Sequence, residues 1–290
     1  MNFADRLFEA QRKKDSFAVL GVDPQLDGAE PGLPPGYTLE RFCCEIVEAC
    51  APSIVAVKPQ LAFFEARGIE GMRAFASVVK LARSLEVLTI ADAKRGDIGT
   101  TSAAYAAAFL GDGDFACDAV TINPYLGSDA IMPFLRAVPH GRGIFVLVKT
   151  SNPTAGEFQD LMTEHGQLWE CVARRIHGIG SDFIGGCGFS AIGAVVGATY
   201  PRAAQRARKI MPNTVILVPG YGVQGAGASQ AVAALTGEGT GAIVSASRSI
   251  MYAYRNAPQQ SPPLAAAAAA EAMRVELNSA AALQRAPTAT

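Results

Sequence analysis

Eight short runs of aliphatic and β-branched residues punctuate the chain, at 17–23, 54–58, 87–92, 119–123, 143–150, 192–198, 214–219 and 242–247. Each is almost continuously apolar and stops at a polar, Gly or Pro residue. Strands with one wet face alternate apolar and polar positions; strands that do not alternate are buried on both faces, as in a parallel sheet covered by helices. Between the runs the pattern becomes helical, over 39–50, 72–85, 100–109, 130–138, 168–179, 201–211 and 229–235. Pro201 suits a first helical turn. An extra helix is expected over 3–14. Strand and helix therefore alternate eight times, which predicts an α/β fold of the closed (β/α)8 or TIM-barrel type with an added N-terminal helix. The alternative, an open doubly wound sheet, calls for a G-x-G-x-x-G turn after its first strand. Here that strand ends Val22-Asp23-Pro24, which disfavours it.

Residues 24–35 and 153–166 are expected to be loops, and the second, like the loop that carries Gln224, is a candidate lid. From Ser261 the chain is alanine-rich, a low-complexity helix or frayed tail. The organisation expected is one barrel domain over 1–260, followed by this Ala-rich segment over 261–290. A length of 290 residues fits a single barrel, typically about 250 residues.

Composition narrows the partners. Half of the residues are hydrophobic, 18% are charged and the net charge is −1, so nothing electrostatic points to nucleic acid or an anionic membrane surface. No apolar run is long enough to span a membrane. The start, Met1-Asn2-Phe3-Ala4-Asp5-Arg6, is unlike a signal peptide, and a cytoplasmic location is expected. The six cysteines form no C-x-x-C pair and are expected to be buried free thiols. The three histidines are scattered without the spacing of zinc ligands.

In a barrel of this kind, reacting groups sit at the C-terminal ends of the strands. Those ends read Asp23; Lys58-Pro59-Gln60; Asp92-Ala93-Lys94-Arg95-Gly96-Asp97; Asn123-Pro124-Tyr125; Thr150-Ser151-Asn152-Pro153; Pro219-Gly220-Tyr221-Gly222-Val223-Gln224; and Ser245-Ala246-Ser247-Arg248. Asp92 and Lys94, two apart on a strand, should point the same way. Asp97 and Thr101, four apart, should share a face of the next helix. Lys58 arrives from the neighbouring strand, and carboxylates nearby would hold both lysines protonated. A structural salt-bridge network is the bland alternative; two lysines and two aspartates on two strand ends favour a site. Gly220, Gly222, Gly225 and Gly227, with Arg248 as a forked donor, suit a phosphate at the place where barrels often hold one. Residues 249–254 are expected to form a short helix beside it.

The motif Asp92-x-Lys94-x-x-Asp97 resembles the D-x-K-x-x-D signature of the orotidine 5′-phosphate decarboxylase family. Val57-Lys58-Pro59-Gln60, Thr150-Ser151-Asn152-Pro153 and Ser247-Arg248-Ser249 extend the likeness to its longer bacterial branch. The resemblance implies conversion of orotidine 5′-phosphate to UMP, the last step of de novo pyrimidine nucleotide synthesis, with no cofactor. Metal-using relatives carry a magnesium carboxylate in the region of Lys58, so no metal is implied. By the same resemblance, Lys94 is the proton donor to C6 of the pyrimidine, and Asp92 lies beside the substrate carboxylate. Lys58 and Asp97 complete a charged tetrad. Asp23 and Lys58 hold ribose hydroxyls, Ser151 reads the pyrimidine edge and Pro219 lines the base pocket. Gln224 and Arg248 hold the phosphate, with Ser247 beside them among the substrate-binding residues. Asp97 and Thr101 cross into the partner's site of a homodimer. Asn123, Tyr125 and Lys149 are left as supports. Three other readings compete: a magnesium-dependent sugar-phosphate lyase, a Schiff-base aldolase using Lys58, Lys94 or Lys149, and a nucleotide-binding module without activity.

Overall fold

The computed structural model describes residues 1–26, 33, 36–197, 201–222 and 227–285. Eight parallel strands close into a barrel: β1 (Ala18–Val22), β2 (Ala56–Pro59), β3 (Leu88–Arg95), β4 (Ala119–Ile122), β5 (Gly143–Lys149), β6 (Ser190–Val196), β7 (Thr214–Pro219) and β8 (Ala242–Ala246). They follow one another around the barrel in chain order, and β8 pairs with β1 through Leu20 and Ala246. Every predicted run is a strand. β1, β2, β4, β6 and β8 are buried at every position, which is why their sequences do not alternate. Ala198, at the end of the sixth run, lies outside the described residues, as do Gln224, Gly225 and most of 24–35.

The helices ring the barrel. α1 (Phe3–Lys14) is capped by Asn2, whose side chain accepts the Asp5 N–H at 2.9 Å. It closes the bottom of the barrel: Leu7 is buried, and Phe3 meets Phe145 of β5 edge-on, with centroids 5.8 Å apart. α2 (Leu39–Cys50) is capped by Thr38 and buries Phe42, Cys43, Ile46, Val47 and Cys50, one helical stripe. α4 (Gly68–Ser84) is the expected 72–85 helix begun a turn earlier, and α3 (Leu61–Glu65) is a short helix added before it. α5 (Gly99–Leu110) and α6 (Ser128–Leu135) follow; the latter stops short of Pro139, and its expected last turn is a 3-10 turn over Val138–His140.

The expected 153–166 loop is more ordered than its composition suggests. It holds a 3-10 turn (Pro153–Ala155), the one-turn α7 (Gly156–Gln159) and an antiparallel pair between Met162–Thr163 and Gly166–Gln167. Side chains replace the missing apolar pattern: Gln159 bonds the Thr150 backbone and hydroxyl, and Asp160 pairs with Lys149 at 2.6 Å. α8 (Leu168–Gly180) and α9 (Pro201–Ile210) come next. α10 (Ala228–Ala231) runs into a 3-10 turn, so the expected 229–235 helix is only partly α-helical. α11 (Arg248–Met251) follows β8. The alanine-rich segment is a helix, α12 (Pro262–Arg285), which packs on α2, α10 and α11. Among the described residues no helix is long and apolar enough to cross a membrane. All six thiols are free; Cys43, Cys50 and Cys117 are buried, whereas Cys44, Cys171 and Cys187 are half-exposed, a departure from the expected uniform burial.

Candidate active site

β2 and β3 run side by side in register and deliver Lys58 and Asp92 to the same end of the barrel, with Gln60 bridging to Asp92 just beyond β2. Lys58 Nζ lies 2.6 Å from Asp92 Oδ2, and Lys94 Nζ lies 2.6 Å from Asp92 Oδ1. Gln60 Nε2 donates to Oδ2 at 3.2 Å and the Thr121 hydroxyl of β4 to Oδ1 at 3.0 Å. Four donors therefore share the two oxygens of one carboxylate, which saturates its acceptor capacity and leaves it one orientation.

Lys94 reaches this cluster by a break in the strand. β3 pairs with β4 through Ala91 and Val120, then through Arg95 and Ile122, so β3 carries extra residues against β4. Within the bulge Lys94 takes a left-handed backbone (φ 47°), and its N–H donates to Thr121 Oγ1 at 2.9 Å. Arg95 secures the far side, pairing with Glu65 and lying over the Tyr105 ring at 5.3 Å. Gly96 follows where the chain passes close to β4: a Cβ there would sit 3.0 Å from the Asn123 carbonyl oxygen.

Charge and burial are arranged unequally. The side chains of Lys58 and Asp92 are each 8% exposed, while that of Lys94 is 44% exposed. Burial pushes the Asp92 carboxyl up, but the Lys58 and Lys94 ammonium groups outweigh it and hold it at about 2. Burial likewise works to lower the Lys58 ammonium; the Asp92 and Asp23 carboxylates overcome this and raise it. The site is thus a buried anion held between two cations, one sealed and one facing the barrel mouth.

The remaining candidates line the same rim. Asp23 follows β1, and its Oδ1 is buried without a hydrogen-bond partner among the described residues; the Ser247 hydroxyl, after the adjacent β8, is in the same condition. Two buried, unsatisfied polar atoms on neighbouring strand ends are what a polar ligand would satisfy. Ser151 packs against Gly197 beyond β6, and Pro219 ends β7. Gly220 and Gly222 both have positive φ, and Gly222 lies against Ser249 of α11, beside the exposed Arg248. Gln224 lies outside the described residues. Lys149 is buried against Asp160.

Asp97 and Thr101 stand apart from the cluster. Asp97 precedes the helix N-cap Ile98, so the two do not share a helical face as their spacing suggests; only Thr101 is helical. The Asp97 carboxylate accepts the Ile98 N–H at 2.8 Å, and among the described residues it pairs with neither lysine. Thr101 is exposed. Thr121 is a site residue missing from the sequence-based set; its signal was a single hydroxyl inside the apolar run Ala119–Ile122. Among the described residues no three His, Cys, Asp or Glu side chains gather as a metal site.

Comparisons with known proteins bear on the family. An orotidine 5′-phosphate decarboxylase of Deinococcus radiodurans is 41% identical over 284 residues, covering 96% of this chain and 97% of the relative. One from Rhodopirellula baltica is 39% identical over 271 residues, covering 88% and 90%. The solved structure of Leishmania donovani OMP decarboxylase superposes with a TM-score of 0.78 at 32% identity, covering 97% of this chain and 99% of that one. The profile of the orotidine 5′-phosphate decarboxylase / HUMPS family matches residues 34–260, well over half of the sequence, and its match encloses the Lys58–Asp92–Lys94 cluster: the chain belongs to that family.

Proposed function

We infer that this protein decarboxylates orotidine 5′-phosphate to UMP, using its own side chains. The observation that carries the reading is the Lys58–Asp92–Lys94 array at the strand ends, with its carboxylate buried. The C6–carboxylate bond breaks, CO2 departs and the electron pair stays on C6. That carbanion gains little from the ring, so its stabilisation falls to fixed charge. Lys94, the more exposed cation of the array, faces the mouth and gives its proton to C6; solvent then reprotonates the amine. Asp92 stays ionised beside the substrate carboxylate, and losing CO2 relieves that repulsion. Lys58 keeps Asp92 anionic. Asp23 and Lys58 take the ribose hydroxyls, Ser151 and Pro219 the base, and Arg248 with Ser247, Gln224 and the glycine turn the phosphate, whose binding energy positions the ring.

The site is completed by a second copy of the chain. Ile98 follows β3 next to Asp97, Tyr125 and Leu126 follow β4, and Met132 lies on α6; all four are large apolar side chains left exposed, Tyr125 as much as 82%, and Ser102 ties the two segments by donating to the Asp97 and Ala130 carbonyls. Burying that face in a homodimer would carry Asp97 and Thr101 to the partner's mouth.

The test is to mix the purified protein with orotidine 5′-phosphate in EDTA and follow the ultraviolet absorbance. Turnover unaffected by chelator is expected. Activity lost to EDTA would favour the magnesium-dependent lyase, and UMP binding without turnover would leave a binding module.

A further inference from the structure

The alanine-rich helix α12 touches the phosphate side of the mouth. Tyr221 stands between Gly220 and Gly222, both of positive φ, and its hydroxyl donates to the Glu276 carboxylate on α12. Gly222 in turn lies on α11: a Cβ there would be 3.1 Å from Ser249 Oγ. Ser249 is next to Arg248. A continuous path of contacts therefore runs from α12 through Tyr221 and Gly222 to the first turn of α11.

α12 is a firm anchor for that path. Its stripe Ala266, Ala270, Met273, Leu277 and Ala281 is buried. Glu271 accepts from the Ser53 hydroxyl at 2.8 Å, and Arg274 pairs with Asp15 at 3.3 Å, tying the helix to the ends of α2 and α1. Burial pushes the Tyr221 hydroxyl up and the Glu276 carboxylate adds to it, so the phenol stays a donor at neutral pH. Two glycines without side-chain restraint flank the tyrosine, and the turn they form has large conformational freedom unless something holds its middle residue.

We propose that Glu276 and Tyr221 are positioning residues: their hydrogen bond fixes the Gly220–Gly222 turn against α11 and so holds the phosphate-binding side of the mouth in its binding shape. This deepens the function inferred above and rests on its assignment of the phosphate to Arg248 and the glycine turn. Neither residue touches substrate in this scheme. Losing their contact should cost phosphate recognition and spare the chemistry at Lys94.

The experiment compares Glu276→Ala, Glu276→Gln, Tyr221→Phe and the pair Glu276→Ala/Tyr221→Phe, with Arg248→Ala as reference. Each full-length variant is assayed with orotidine 5′-phosphate and with orotidine, which lacks the phosphate, and its Tm is recorded. Glu276→Ala and Tyr221→Phe should each lower kcat/KM for the phosphorylated substrate by about 3- to 10-fold, mostly through KM, as expected for one hydrogen bond to a charged group at a half-exposed site. Glu276→Gln keeps an acceptor oxygen and should recover most of the loss. The double variant should lose no more than the larger single. Turnover of orotidine should be unchanged. Equal losses on both substrates, or no loss in Glu276→Ala while Arg248→Ala discriminates, overturn the proposal. If Arg248→Ala itself fails to discriminate, the phosphate assignment falls and takes the proposal with it.

Discussion

Asp92 is the residue on which the site turns, because two ammonium groups, an amide and a hydroxyl all depend on its two oxygens. A buried ion pair is weak evidence of stability, yet removing one member strands the other charge, at a cost of about 3–5 kcal/mol. Asp92→Asn should therefore destabilise the fold as well as abolish turnover, since Lys58 stays buried. Its pH dependence has a definite sign. The Asp92 carboxyl is depressed in the folded chain, so its contribution is complete above the ordinary carboxylate value of about 4 and lost as pH falls through about 2. Between those limits the native protein should lose about 2 kcal/mol more than Asp92→Asn, with the sum discounted for other carboxylates common to both. Denaturant unfolding of the two at pH 2 to 5 measures this, and a gap that stays constant across the window refutes the coupling. Lys94 is different: it is the exposed member and contributes less to stability. Lys94→Ala should keep its Tm and its UMP binding while kcat drops by at least about a thousandfold, the combined scale of a lost electrostatic stabiliser and a lost proton donor. Near-normal kcat in that variant would remove Lys94 from the chemistry.

The strand end of β3 shows what residue spacing conveys and what it leaves out. Asp92 and Lys94 were expected to converge because they are two apart on a strand, and they do meet at 2.6 Å. The route is a bulge and a left-handed lysine rather than regular alternation, because register against β4 is a non-local property. The same limit explains Asp97, whose spacing from Thr101 suggested a shared helical turn but whose backbone lies before the N-cap. Thr121 was visible only as a polar interruption in β4; that it faces Asp92 depends on the pairing of β3 with β4. Apolar continuity, by contrast, is a local consequence of burial on both faces, and all eight strands follow from it. Gly96 tests the bulge as an element. Gly96→Ala places a methyl group 3.0 Å from the Asn123 carbonyl oxygen, so the backbone after Lys94 must move. Because near-attack geometry tolerates little displacement, kcat should fall about tenfold or more while Tm changes by only a few degrees. Stopped-flow or steady-state turnover alongside calorimetry separates the two, and parallel losses would show that the bulge matters for folding rather than for aim.

For the whole molecule, eight βα units in sequence sufficed to specify a barrel, because parallel strands with helical crossovers leave few ways to bury both faces. Assembly was not legible in the same way: nothing in the periodicity says which exposed residues face a second chain. Ile98, Tyr125, Leu126 and Met132 are exposed on the segments that follow β3 and β4, while Lys58, Asp92 and Lys94 are already joined within one chain. If each mouth takes Lys94 from one chain and Asp97 from its partner, two inactive variants can repair each other. Lys94→Ala and Asp97→Ala homodimers have every site damaged. In a mixed dimer one site collects both substitutions and the other collects neither. Random pairing at equal amounts makes half of the dimers mixed, so co-expressed and co-purified chains should recover about a quarter of wild-type activity, while the two proteins assayed separately stay inactive. A site built wholly from one chain gives no such repair, since each protomer would then carry its own defect into every pairing. Recovery near a quarter, present after chain exchange and absent before it, is the signature of a mouth shared between two subunits.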